Sequence, residues 1–100
     1  MKWVWTWSGR SFGYFDGADL WTYQGKHVGR RVDSDIYAPT GRYLGEIMDN
    51  GRLATNKAKA ADRGPQFARL PPREEVKALL DAQGHPMYRG FQDFPTSDQL

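Results

Sequence analysis

Cysteine is absent from the chain, which excludes a disulfide framework, thiolate metal centres and thiol catalysis. The same absence fits a cytoplasmic location. Histidine is nearly absent: His27 and His85 are the only two, and with no cysteine to join them they predict no metal site and no cofactor. His27 stands on a strand at a position read as solvent-facing rather than as a catalytic base. No apolar run approaches the roughly 20 residues of a membrane-spanning helix, so the chain is not expected to be transmembrane. The opening Met1-Lys2-Trp3-Val4-Trp5 runs into the strand pattern described below and reads as a strand, not a signal segment. A net charge of +2 gives no footing for nucleic-acid binding. Phosphate-cradling glycine loops, nucleophile elbows and zinc-protease helices are all missing. Asp33-Ser34-Asp35 lacks the glycine and glutamate of a calcium loop. The expectation is no catalytic residue and no enzyme.

What the chain has in abundance is glycine and aromatic residues, and they are ordered. WTWSGRSFGYFDGADL, WTYQGKHVGRRVDSDI and YAPTGRYLGEIMDNGR align without a gap at a spacing of 16 residues. Gly9, Gly25 and Gly41 fall in register, and so do Gly13, Gly29 and Gly45. The first set follows Ser8, Gln24 and Thr40, so each pair predicts a two-residue hairpin loop whose second residue needs positive φ. The second set lies within strand patterns and marks a bend or a close approach of another segment. Counting outward from the loops pairs Trp5 with Phe12, Trp21 with Val28 and Tyr37 with Leu44 on one face. The other face pairs Val4 with Gly13, Leu20 with Gly29 and Ile36 with Gly45. Both faces carry apolar residues, so one lines an interior and the other is covered.

These units resemble the bacterial four-fold beta flower proteins, through W-S-G-R-x-F-G, Y-Q-G-K-x-V-G and P-T-G-R-x-L-G. The resemblance spans residues 3–56 and implies a small, shallow barrel of radially arranged hairpins, with no reaction attached. The chain departs from the pattern after Asn56, where a fourth Gly-basic-apolar-Gly is missing. Leu53 is placed in the phase of Trp5, Trp21 and Tyr37. With seven strands, at 3–8, 10–16, 18–23, 26–32, 34–38, 42–48 and 51–56, the sheet is either a barrel or an open curled sheet.

The remaining chain completes one mainly β domain over 1–100. Residues 57–72 predict an irregular connection, and Arg73–Gln83 a helix: Pro71-Pro72 precede it, Glu74 and Glu75 occupy its first turn, Gly84 follows, and Val76, Leu79 and Leu80 form an i, i+3, i+4 stripe. Residues 84–100 form a C-terminal arm in which Pro86 to Phe91 supplies an edge strand or an extended segment. Trp3, Trp5 and Trp7 recur at period two and are expected beneath this C-terminal segment or in a dimer contact. Arg30 is expected to pair with Asp19 or Glu46.

The function read from this pattern is a small non-enzymatic binding or interaction module with an aromatic surface or pocket. Trp5, Trp21, Tyr37 and Phe12 are the candidate contacts for a hydrophobic ligand or protein partner, and Arg31 for an anion at the mouth of the sheet. A peripheral lipid-associated protein and a self-associating structural module, a homo-oligomer, are the alternatives.

Overall fold

The three glycine turns are three-residue loops, one longer than the expected pair. Gly9, Gly25 and Gly41 donate to the carbonyls of Thr6, Thr22 and Ala38, whose own N–H groups reach the carbonyls of Arg10, Lys26 and Arg42. Each glycine has a φ between +86° and +99°, the left-handed third residue of a type I turn followed by a bulge. The computed structural model describes residues 1–100.

Seven strands follow the sequence pattern to within two residues: β1 Lys2–Thr6, β2 Ser11–Asp16, β3 Asp19–Thr22, β4 His27–Val32, β5 Asp35–Tyr37, β6 Tyr43–Ile47 and β7 Arg52–Asn56. Sequential strands pair antiparallel, and β1 meets β7 in parallel through Trp5↔Arg52 and Thr6↔Leu53. The sheet is therefore a closed barrel rather than an open curl. An eighth strand, β8 Phe91–Asp93, adds antiparallel to β7.

The bulge decides which residues face inward. Val4↔Gly13, Leu20↔Gly29 and Ile36↔Gly45 pair as counted, but one residue nearer the turn the partners become Trp5↔Ser11, Trp21↔His27 and Tyr37↔Tyr43. The inserted residue in each hairpin is Phe12, Val28 or Leu44. Each is thereby turned to the same face as Val4, Leu20 and Ile36 and buried in the core. The expected pairing of Phe12 with Trp5 on a shared face does not occur.

The fourth unit is present but slipped and interrupted. A 3-10 turn at Asp49–Gly51 adds one residue, so Leu53 takes the core position of Val4, Leu20 and Ile36 instead of the aromatic phase. The returning strand of this fourth hairpin is β8: Ala54↔Asp93 repeats the pairing Trp5↔Ser11, and Phe94 follows it into the core as Phe12 follows Ser11. Two layers of four side chains fill the barrel: Val4, Leu20, Ile36 and Leu53, then Phe12, Val28, Leu44 and Phe94, with Phe15 beside them. Phe94 packs edge-on to Phe12 at 5.3 Å, and a Cβ on Gly45 would lie 2.6 Å from its ring. Burying such a phenyl group is worth about 1.5–3 kcal/mol.

The helix expected over Arg73–Gln83 is absent; residues 64–88 hold no regular element. The segment runs as an extended belt across the three glycine turns in reverse order. Gly64, Arg73 and Ala82 donate their N–H groups to the carbonyls of Gly41, Gly25 and Gly9, and Phe67 and Val76 donate to Pro39 and Tyr23. The belt thus advances nine residues for each 16-residue unit of the barrel. Nine residues of helix rise only about 13 Å, whereas nine extended residues reach up to about 30 Å, so only an extended chain visits three successive turns. The barrel's carbonyls take backbone donors that a helix would keep for itself. Gly64 also lies against the ring of Tyr37.

Candidate functional site: the aromatic rim and its belt

Strand alternation that sends Val4, Leu20 and Ile36 inward sends Trp5, Trp21 and Tyr37 outward, and the belt lies on them. Trp5 Nε1 donates to the Leu80 carbonyl at 2.9 Å, and Trp7 Nε1 to the Pro86 carbonyl at 3.0 Å, so these two tryptophans pack beneath the C-terminal segment, whereas Trp3 packs edge-on to Tyr14 at 5.3 Å. The Arg73 guanidinium stacks 3.9 Å from the Trp21 ring centroid and pairs with Asp16 at 2.9 Å. Trp21 is buried, and its Nε1 has no hydrogen-bond partner. Arg52, also buried, donates to the carbonyls of Trp7 at 3.1 Å and Gln83 at 2.6 Å. It ties the first turn to the belt without a carboxylate.

His27 does not face solvent; it is 1% exposed. Its Nδ1 accepts the Leu70 N–H at 2.8 Å, which places the proton on Nε2, donated to Asp19 at 2.9 Å. Arg30 reaches the same carboxylate oxygen at 3.0 Å, one of the two pairings expected from the sequence, and its guanidinium covers Phe67 at 4.5 Å. Arg69 donates to the His27 carbonyl at 3.0 Å. The histidine serves as an acceptor that holds the belt.

Of the five residues singled out from sequence, Trp5, Trp21 and Tyr37 come together along this rim. Phe12 lies in the core. Arg31 sits over the Phe15 ring at 5.4 Å, apart from the rim. The rim's other contacts, His27, Arg52 and Gly64, carry no sequence signal except that His27 occupies the repeat phase of Ser11 and Tyr43.

Next to Tyr37, whose ring lies 6.3 Å from that of Tyr43, Lys59 bridges Asp35 at 2.9 Å and Glu46 at 3.0 Å. Those two hydrogen bonds hold its ammonium above the usual lysine range. Tyr43 donates to Glu46 at 3.0 Å and accepts the Asn56 N–H at 3.0 Å. Burial, with the Glu46 charge behind it, pushes its phenol above the usual tyrosine range.

Three surface clefts of about 410, 360 and 460 Å³ open around the barrel without touching Trp5, Trp21, Tyr37 or Arg31, and a fourth of only about 30 Å³ lies against Tyr37, Arg30 and Phe67. No group of three or more His, Cys, Asp or Glu side chains is placed to hold a metal ion. No helix is long and apolar enough to cross a membrane. Fold and rim together define the class: a small closed β-barrel of 16-residue hairpin units, girdled by its own chain. No protein-family model matches the chain, and neither the curated proteins nor the solved structures contain a match to it.

Proposed function

We propose that the protein is a non-enzymatic, cytoplasmic interaction module, built on a barrel of the four-fold beta flower kind, that meets a protein partner through apolar side chains displayed on its belt. The carrying observation is a large apolar side chain exposed on a pinned backbone. Leu80 is 90% exposed, while its carbonyl is held by Trp5 and the Ala82 N–H is fixed on Gly9. Leu79 and Leu70 are exposed on the same belt. A backbone already ordered before binding loses little conformational entropy when a partner lands on it. The two filled layers of core side chains favour this outer surface over a ligand inside the barrel. Trp5, Trp21 and Tyr37 then act by holding the belt in its displayed form.

A hydrophobic probe dye such as anilinonaphthalene sulfonate tests the reading. The double variant Leu79→Ser, Leu80→Ser keeps its far-ultraviolet circular dichroism and binds severalfold less dye. Equal dye binding by the folded double variant refutes the displayed surface.

A further inference from the structure

We infer that the cleft where the belt leaves the barrel binds an organic cation carrying a methylated ammonium group. Three segments meet there: Trp7 from the first hairpin turn, Asp49 and Asn50 from the turn before β7, and His85 to Tyr88 from the end of the belt, around a volume of about 460 Å³. Each is a place where the chain departs from its own repeat. Trp7 stands where the second and third units have Tyr23 and Pro39. The 49–51 turn carries the extra residue of the fourth unit, with Asn50 at φ 61°. Residues 85–88 lie beyond the last glycine contact of the belt. Departures from an otherwise consistent pattern that converge on one spot are where a site is expected.

The walls are aromatic faces. The Tyr88 ring lies 5.1 Å from Trp7 at 45°, and the His85 ring 5.5 Å from Trp7 at 58°. Trp7 donates its only polar hydrogen to the Pro86 carbonyl and is 8% exposed, so the fixed indole is the floor of the cleft and Tyr88 supplies the open ring. Tyr88 and Met87 are 56% and 37% exposed, so the aromatic wall opens to solvent. The charge is complementary to a cation: Asp49 is the one carboxylate of the lining and takes part in none of the protein's ion pairs. Arg52, three residues from Asp49, is turned to the carbonyls of Trp7 and Gln83, and Arg89, which follows Tyr88, is not among the lining residues. An anion would meet Asp49 and the negative ring faces. A divalent metal would find a single carboxylate where it needs several hard oxygen ligands. A methylated ammonium suits both parts, since aromatic faces attract its charge and Met87 and Pro86 accept its methyl groups. The head group is shared by free choline-type cations and by methylated lysine side chains of a partner.

The test uses the full chain in an NMR titration that follows the Trp7 indole N–H. The ligands are choline, its neutral isostere 3,3-dimethyl-1-butanol, and a short peptide with and without trimethyllysine. Choline gives a saturable shift, and the neutral isostere binds several times more weakly. Tyr88→Ala and Asp49→Asn each weaken choline by about threefold to thirtyfold. Asp49→Asn, on an exposed side chain, keeps the inference testable if Tyr88→Ala disturbs the belt end. A trimethyllysine peptide that binds more tightly than choline, with the unmodified peptide silent, supports a partner's side chain as the source; choline binding as tightly or better supports a free cation. The inference is overturned if the neutral isostere binds as well as choline, if no shift saturates, or if Asp49→Asn binds choline like the parent.

Discussion

Gly25→Ala separates the cost of a strained turn from the cost of displacing the belt. Gly25 has φ +94°, and a Cβ there would fall 2.0 Å from the Arg73 carbonyl oxygen. Gly17 offers the matched control, with φ +62° and nothing within 4 Å of its added Cβ. Left-handed backbone alone costs a non-glycine residue about 1–2 kcal/mol, and both variants incur it. Only Gly25→Ala must push the belt away. It then loses the Arg73 N–H bond to the Gly25 carbonyl, worth about 1 kcal/mol, and the stacking of Arg73 on Trp21, worth about 0.5–1 kcal/mol. The Arg73–Asp16 pair is too exposed to add much. Gly25→Ala should therefore destabilise by about 3 kcal/mol against about 1–2 kcal/mol for Gly17→Ala, and melt about 10 °C lower than that control. Denaturant melts measure the difference. Limited trypsin digestion reads the belt itself: cleavage after Arg69, Arg73 and Lys77 accelerates in Gly25→Ala and stays at the parent rate in Gly17→Ala. Equal stability and equal cleavage of the two variants would refute the belt as a packed part of the fold.

Phe94→Ala removes one of the four side chains in its core layer and the plug of the barrel seam, and should cost about 3–5 kcal/mol in urea denaturation. His27→Phe keeps the ring volume but leaves the Leu70 N–H without its acceptor and Asp19 with Arg30 alone. A loss of about 1–3 kcal/mol is expected, with hydrogen exchange of the Leu70 amide increasing in step. Alkaline titration followed by tyrosinate absorbance should show Tyr43 ionising above the usual tyrosine range. Because burial raises the folded-state pKa of Tyr43, its contribution is complete below the unfolded value near ~10. That contribution is lost as pH rises beyond it toward the folded value. Lys59, raised by its hydrogen bonds to Asp35 and Glu46, adds to the same alkaline loss, and Lys59→Met should flatten it.

The hairpins are legible because glycine register and alternation are local, whereas closure of the sheet depends on the distant β1–β7 pairing. All seven strands and the Val4↔Gly13 family of pairs follow from the 16-residue spacing, which leaves Arg30 a choice between Asp19 and Glu46. What failed was what one residue can shift. The bulge after each turn moves Phe12, Val28 and Leu44 to the inner face, and nothing in Ser8-Gly9 distinguishes a two-residue loop from the last two residues of a three-residue one. One extra residue at Asp49–Gly51 moves Leu53 inward in the same way. Within the belt, Val76, Leu79 and Leu80 carry a helical stripe and Gly84 a stop signal, yet the segment is extended. Local propensity gave way to carbonyls at Gly25 and Gly9 that sequence spacing cannot reveal without the barrel in place. Those contacts also bury His27, whose acceptor role depends on a donor 43 residues away. The start of a fourth unit at Leu53 is legible, but its pairing with β8 is not, because the two strands are separated by the whole belt.

Amide hydrogen exchange on the full chain tests the girdled barrel most directly, because the belt is exposed in its side chains yet bonded at chosen amides. The account predicts slowed exchange at Gly64, Phe67, Leu70, Arg73, Val76 and Ala82, with Ala68, Lys77 and Ala78 exchanging quickly between them. Uniformly fast exchange from 64 to 88, or continuous protection from 73 to 83 as a helix would give, would contradict it.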